Sequence, residues 1–367
     1  MLARRRWLPR ARLPLMALGM LALLGALDGG LVRLGWGLPV TPSLAAFHGP
    51  LMVSGFLGTV IGLERAVALG RLWAYVAPLA TGLGGLGLAM GWPGGIWLLT
   101  LGSVVMTVVF AAIVMRQLAL FTIVMAAGTL CWLTGQSLWL VGWPIHRVVF
   151  WWIGFLVLTI AGERLEMTRL LRLGITPRVA FLAAAVTLVV GLAVISVAPD
   201  GGVRLAGVAL IGLAVWLGVF DIARRTVRQS GLTRFIAVTL LSGYVWLGAA
   251  GILALGSGAV AAGGRYDAML HAVMLGFVFS MIFGHAPIIF PAVLGIGVAY
   301  RPAFYAHVAM LHVSLLLRIT GDLAPWPAAR AWGGLLNGIA IVVFLANTAY
   351  SALAPRATAS PAPARRS

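Results

Sequence analysis

The chain has 367 residues, 62% of them hydrophobic and 9% charged, with a mean hydropathy of +1.05. So little polar surface excludes a water-soluble domain. A net charge of +18 would suit a nucleic-acid binder, but the 26 basic residues, all arginine, are scattered between apolar runs and never gathered on one soluble face, which excludes that class as well.

What remains is an all-α integral membrane protein. A helix needs roughly 20 apolar residues to cross about 30 Å of hydrocarbon, and it satisfies its own backbone while doing so. Runs of that kind predict twelve transmembrane spans, at about 13–33, 44–63, 72–91, 95–115, 117–141, 148–162, 179–198, 205–222, 235–256, 267–286, 303–318 and 331–352. Residues 1–352 then form a single polytopic membrane domain in contact with the lipid bilayer, and the Pro/Ala-rich stretch 353–367 a disordered cytoplasmic tail.

The arginines orient these spans. The tails and the loops on the N-terminal side hold 20 of the 26, including Arg4, Arg5, Arg6, Arg10, Arg65, Arg164, Arg172 and Arg356; the other side has Arg33, Arg147, Arg204, Arg265, Arg318 and Arg330. The positive-inside rule therefore predicts N- and C-termini in the cytoplasm, in a bacterial-type inner membrane. The opening RRRWLPRAR resembles the start of a signal peptide, but no small-residue cleavage site follows, so the first span is expected to be retained. Cys131, alone in span five, can form no intramolecular disulfide.

Spans two, six and ten share a pattern. They read FHGPLMVSGFLGTVIGLER, HRVVFWWIGFLVLTIAGER and LHAVMLGFVFSMIFGHAP. Each has a Gly-Phe pair (Gly55, Gly154, Gly276), a polar group nine residues on (Glu64, Glu163, His285) and a histidine five to eight residues before (His48, His146, His271). Because the three segments are four spans apart, three pseudo-repeats of four helices are expected. The glycines also have a plain role, since small residues let membrane helices pack closely.

Each of these residues has a structural and a functional reading. Glu64, Arg65, Glu163 and Arg164 suit interfacial anchors at a helix end, and equally the entrance of a proton path. His146 follows Trp143 and Pro144 in an expected loop, where a hydrogen-bonded structural role fits best. His48 and His271 lie within apolar segments, where neutral imidazoles on facing helices can hold one iron from both sides. His285 and His307 flank a short loop and, with His312, are the candidate metal residues, for copper or a second haem. His307 and His312 are five residues apart, about 140° around a regular helix, so the two cannot chelate one ion together. No HExxH, CxxC, P-loop or GxSxG pattern occurs, which leaves hydrolysis and nucleotide-driven transport without support.

Twelve spans in three arcs of four, with histidines on spans two and ten, resemble subunit I of the heme-copper oxidase superfamily. That resemblance implies His48 and His271 as the axial pair of a low-spin haem, b-type here, with Arg318 against its propionates. Span seven has no histidine and span ten no HxH, so oxygen reduction is not implied. HAVMLGFVFSMI, His271 to Ile282, is similar to a pattern in NnrS-type haem and copper membrane proteins, which implies electron transfer or nitric oxide handling, with an electron donor that is membrane-soluble or docks on the outer loops. The rival expectations are a cofactor-free secondary transporter and an assembly factor for a respiratory complex. A haem-sized gap between His48 and His271 separates the first reading from both.

Overall fold

The computed structural model describes residues 11–353 apart from 40 and 172; Arg4, Arg5, Arg6, Arg10, Arg172 and the expected tail beyond Leu353 lie outside the described residues. Among the described residues there are helices and no strands, and twelve helices are long and apolar enough to cross a membrane. They are α1 (Leu13–Arg33), α2 (His48–Leu69), α3 (Leu72–Ala89), α4 (Gly95–Arg116), α5 (Leu120–Leu140), α6 (Ile145–Met167), α7 (Ile175–Ile195), α8 (Pro199–Phe220), α9 (Gly231–Ser257), α10 (Gly264–Leu294), α11 (Phe304–Leu323) and α12 (Pro327–Leu353). This is a multi-pass membrane protein.

Three boundaries differ from the sequence reading, each for a local reason. Pro42 starts a short separate helix, Pro42–Ala46, so α2 begins only at His48. At the entry to α6, Pro144 is extended (ψ 142°) and acts as the N-cap, which puts His146 in the first helical turn and not in a loop. The helix α10 runs through Pro287 and Pro291 to a left-handed cap at Gly295 (φ 69°). Its last turn is held from outside: Val293 and Leu294 pack with Met16 and Leu63, and an Arg12 N–H donates to the Val293 carbonyl at 2.7 Å.

Successive helices pack side by side, and α12 returns to α1, closing a ring. The segments α2, α6 and α10 run through the middle, where 61%, 72% and 67% of their most apolar windows are buried, against 33% for α1, α4 and α7. Outward surfaces are apolar: Val108, Leu130, Val186, Val245 and Val313 are all exposed, as lipid-facing side chains should be.

The repeated glycines sit where neighbours press closest. Gly55 lies against Ala22 and Gly85, Gly154 against Leu192 and Cys131, and Gly276 against the Trp246 indole. The phenylalanine after each (Phe56, Phe155, Phe277) is buried. The segments α2 and α10 also share a distortion, since Leu51–Leu57 and Ala272–Phe279 are π-helical, each starting within three residues of His48 or His271.

A close helix crossing joins α8 and α9, where a methyl on Gly207 or Gly251 would lie 2.7 Å from the other's carbonyl oxygen. Gly251→Val should therefore cost about 1–3 kcal/mol through forced separation of the helices. Gly256→Ala, which meets nothing within 4 Å, should leave thermal unfolding in detergent unchanged.

Candidate functional site

Two cavities hold seven of the eleven singled-out residues. The first, the histidine cavity, encloses about 550 Å³ between α1, α2, α6, α10, α11 and α12, a size that takes a whole cofactor. His48 and His271 meet in it with ring centroids 6.4 Å apart and planes within 25° of parallel. Each ring is oriented by a backbone carbonyl: Nδ1 of His48 bonds Ala26 O at 2.6 Å, and Nδ1 of His271 bonds Asp267 O at 2.8 Å. Those bonds require hydrogen on Nδ1, so the lone pair of each neutral ring is on Nε2, the atom a metal would take. The side chain of His146 lines the same cavity.

Glycines shape the space around the pair. A methyl on Gly30 of α1 would lie 2.8 Å from Cε1 of His48, whereas one on Gly338 of α12 would meet nothing within 4 Å. Charges collect at the rim. The Asp267 carboxylate accepts from Arg318 at 3.1 Å and Arg330 at 2.9 Å, and Arg330 pairs with the buried Asp322. With Arg33, which also lines the cavity, three arginines face two aspartates, an excess of one positive charge. Nε of Arg318 is buried and has no partner among the described residues.

The second cavity, the glutamate chamber, encloses about 110 Å³ nearer the other ends of α2, α6 and α10. Glu64, Glu163 and His285, the three residues at matched register, all line it. The arginines connect the helices crosswise. Arg65 of α2 donates to its neighbour Glu64 at 3.1 Å and also to Glu163 of α6. Arg164 of α6 grips Asp221, just beyond α8, with two bonds of 2.7 and 3.1 Å, and donates to Nε2 of His285 at 3.3 Å. Asp221 Oδ1 also accepts the Ala223 backbone N–H, which ties the cluster to the loop after α8.

The remaining histidines do not gather. His307 is fully buried among Phe235, Phe283, Phe304 and Phe344, and its Nδ1 accepts from Asn347 at 3.2 Å. His312 accepts from the Trp246 indole at 2.9 Å. His285 belongs instead to the Arg164 cluster. Among the described residues no group of three His, Cys, Asp or Glu side chains is arranged to hold a metal ion.

Five charged residues of these sites were not singled out from sequence: Arg33, Asp221, Asp267, Asp322 and Arg330. A signal was present for the acids, because the chain has only eight Asp and Glu in all, and Asp267 stands four residues before His271, one turn away on the same helix.

The protein is thus an all-helical membrane protein with a two-histidine cavity among six of its helices and a carboxylate–arginine cluster around a smaller chamber. It belongs to the family described as "Domain of unknown function (DUF8744)", whose model matches residues 12–353. No curated protein matches the chain.

Asp221→Ala strands a buried guanidinium and should cost about 3–5 kcal/mol, seen as a lower unfolding midpoint in detergent. Replacing both partners, Arg164→Met with Asp221→Leu, should recover most of that loss.

Proposed function

We propose that this chain is a haem-carrying membrane protein, with His48 and His271 as axial ligands of a single low-spin haem in the histidine cavity. The observation that carries this reading is the pair's geometry. A metal–imidazole bond of about 2.0 Å on each side, plus about 1.1 Å from each ring nitrogen to its ring centre, puts two axial rings about 6.2 Å apart. The observed separation is 6.4 Å.

The surroundings fit the same group. Nε2 of neither histidine has a hydrogen-bond partner among the described residues. Arg33, Arg318 and Arg330 suit the two carboxylates of a haem. The sole cysteine, Cys131, is in α5, whose residues do not line the cavity, so attachment would be non-covalent, as in a b-type site. When bound, such a haem supplies one-electron redox chemistry. Held by both His48 and His271, such a haem would suit electron transfer better than direct capture of nitric oxide or another small ligand. His48 and His271 hold the group, their carbonyl partners fix the ring tautomers, and Asp267 positions Arg318 and Arg330.

The oxidase-like arrangement of three four-helix repeats belongs to this proposal. It is supported by the central burial of α2, α6 and α10 and by the convergence of matched residues on two cavities. The arginine bias adds cytoplasmic termini, with the glutamate chamber toward the cytoplasm. The environments of His285, His307 and His312 give a copper centre no support. A cofactor-free transporter or assembly factor would have no need of two unpartnered imidazole nitrogens beside a cavity of cofactor size.

A reduced-minus-oxidised spectrum of the purified protein should show sharp low-spin bands, and a pyridine haemochrome assay should return about one haem b per chain. His48→Ala and His271→Ala should each abolish the low-spin bands, whereas His146→Ala should keep them. Bands that survive both of the first two variants would sink the axial assignment, and a folded protein without haem would favour the transporter or assembly-factor reading. For the topology, cysteines placed singly at Leu118 and Val197 in a Cys131→Ser background should react with a membrane-impermeant maleimide on opposite sides of the membrane, Val197 from the periplasm.

A further inference from the structure

The haem reading makes no use of the glutamate chamber, whose walls and polar end point to a ligand of their own. Its walls are apolar, from Met20, Val60, Ile160, Ile282 and Phe290, all partly exposed. Its polar groups come from α2, α6 and α10. We propose that the chamber binds the headgroup of a membrane hydroquinone, with the ring between these walls and its O–H groups donating to Glu64 and Glu163.

Size, polarity and charge each narrow the occupant. A cavity of about 110 Å³ is below the roughly 150 Å³ that encloses one benzene ring, so it admits no more than one six-membered ring, part of which stays among the partly exposed side chains at its edge. The chamber's polar lining is two carboxylates, the His285 ring and the Thr159 hydroxyl, which has no partner among the described residues. Two carboxylates share one cation, Arg65, while Arg164 is occupied by Asp221 and the His285 ring. Two carboxyl groups flank one guanidinium, an arrangement that disfavours fatty-acid and phospholipid phosphate headgroups and favours a neutral O–H donor. A metal cation lacks a ligand set, because no three such groups converge among the described residues. A hydroquinone combines a flat apolar ring, two donors and a hydrocarbon tail that can stay among the partly exposed apolar side chains.

The site is independent of the haem. His271 and His285 are 14 residues apart on α10, about 21 Å along the helix, and among the described residues only Leu57 lines both cavities. The test is anaerobic calorimetric titration of a decyl-tailed benzohydroquinone into the purified full-length protein, with palmitate and decylamine as competitors. Saturable binding is expected, and neither competitor should displace it. Ile160→Trp, which fills the chamber, should weaken binding about tenfold or more. Val60→Trp fills it from α2 and serves as a second variant should the first fail to fold. Glu163→Gln should weaken binding while leaving the chamber open.

Absence of binding, binding indifferent to a folded chamber-filling variant, or displacement by palmitate or decylamine would each overturn the proposal. His48→Ala and His271→Ala should bind the hydroquinone like the parent. A protein that carries haem but binds no hydroquinone fails the chamber reading alone, and one that binds hydroquinone at the chamber but carries no haem fails the haem reading alone.

Discussion

A charge within a hydrocarbon layer persists only where the protein supplies its counter-charge, because no water is there to do so. That constraint organises the interior of this molecule. Of its eight acidic residues, Glu163, Asp221, Asp267 and Asp322 pair with arginines from other helices, and Glu64 shares Arg65 with Glu163. Asp200 and Glu166 make local pairs one turn away on the surface. The interhelical pairs do more than neutralise charge. Arg65 holds α2 to α6, Arg164 holds α6 to α10 and to the loop after α8, and Asp267 holds α10 to α11 and α12. Ridges of leucine against lipid-like neighbours give little reason for one helix to choose another, so these bonds and the glycine crossings fix which helices meet.

The three central helices obey one register with one systematic difference. His48, His146 and His271 line one cavity and Glu64, Glu163 and His285 the other. Only α2 and α10 carry a π-helical segment after the histidine; α6 remains α-helical throughout. A π turn adds one residue to the turn and so rotates every side chain beyond it about the helix axis. The two helices that share it also carry the paired histidines.

Hydropathy made the twelve helices legible, since a membrane span is the strongest one-dimensional signal a sequence carries. Spacing exposed the matched sets, and facing histidines on spans two and ten came out of them. What stayed hidden was pairing. That Arg65 turns to Glu163, 98 residues away, is a fact about the third dimension, and the adjacent Glu64 offered a nearer and simpler partner. Asp267 looked like one more residue at a helix start until Arg318 and Arg330 converged on it. His146 was misjudged because Pro144 suggested a loop, whereas a proline at the N-cap begins a helix as readily as it ends one.

The boundary between the cavities sets how they can communicate. Leu57 lines both, and beside it Phe56, on the wall of the glutamate chamber, stacks at 6.1 Å on Phe279, on the wall of the histidine cavity. This partition is apolar, and it is thin at Leu57. Hydrocarbon side chains neither carry protons nor stabilise water between them. Proton exchange at the carboxylates is thereby confined to the side of the membrane where Arg65 and Arg164 lie, and the charges around Asp267 answer to the opposite side. A partition of this kind keeps two polar sites in one bundle without opening a water-filled path through it, so an interior with two cavities is compatible with a sealed membrane.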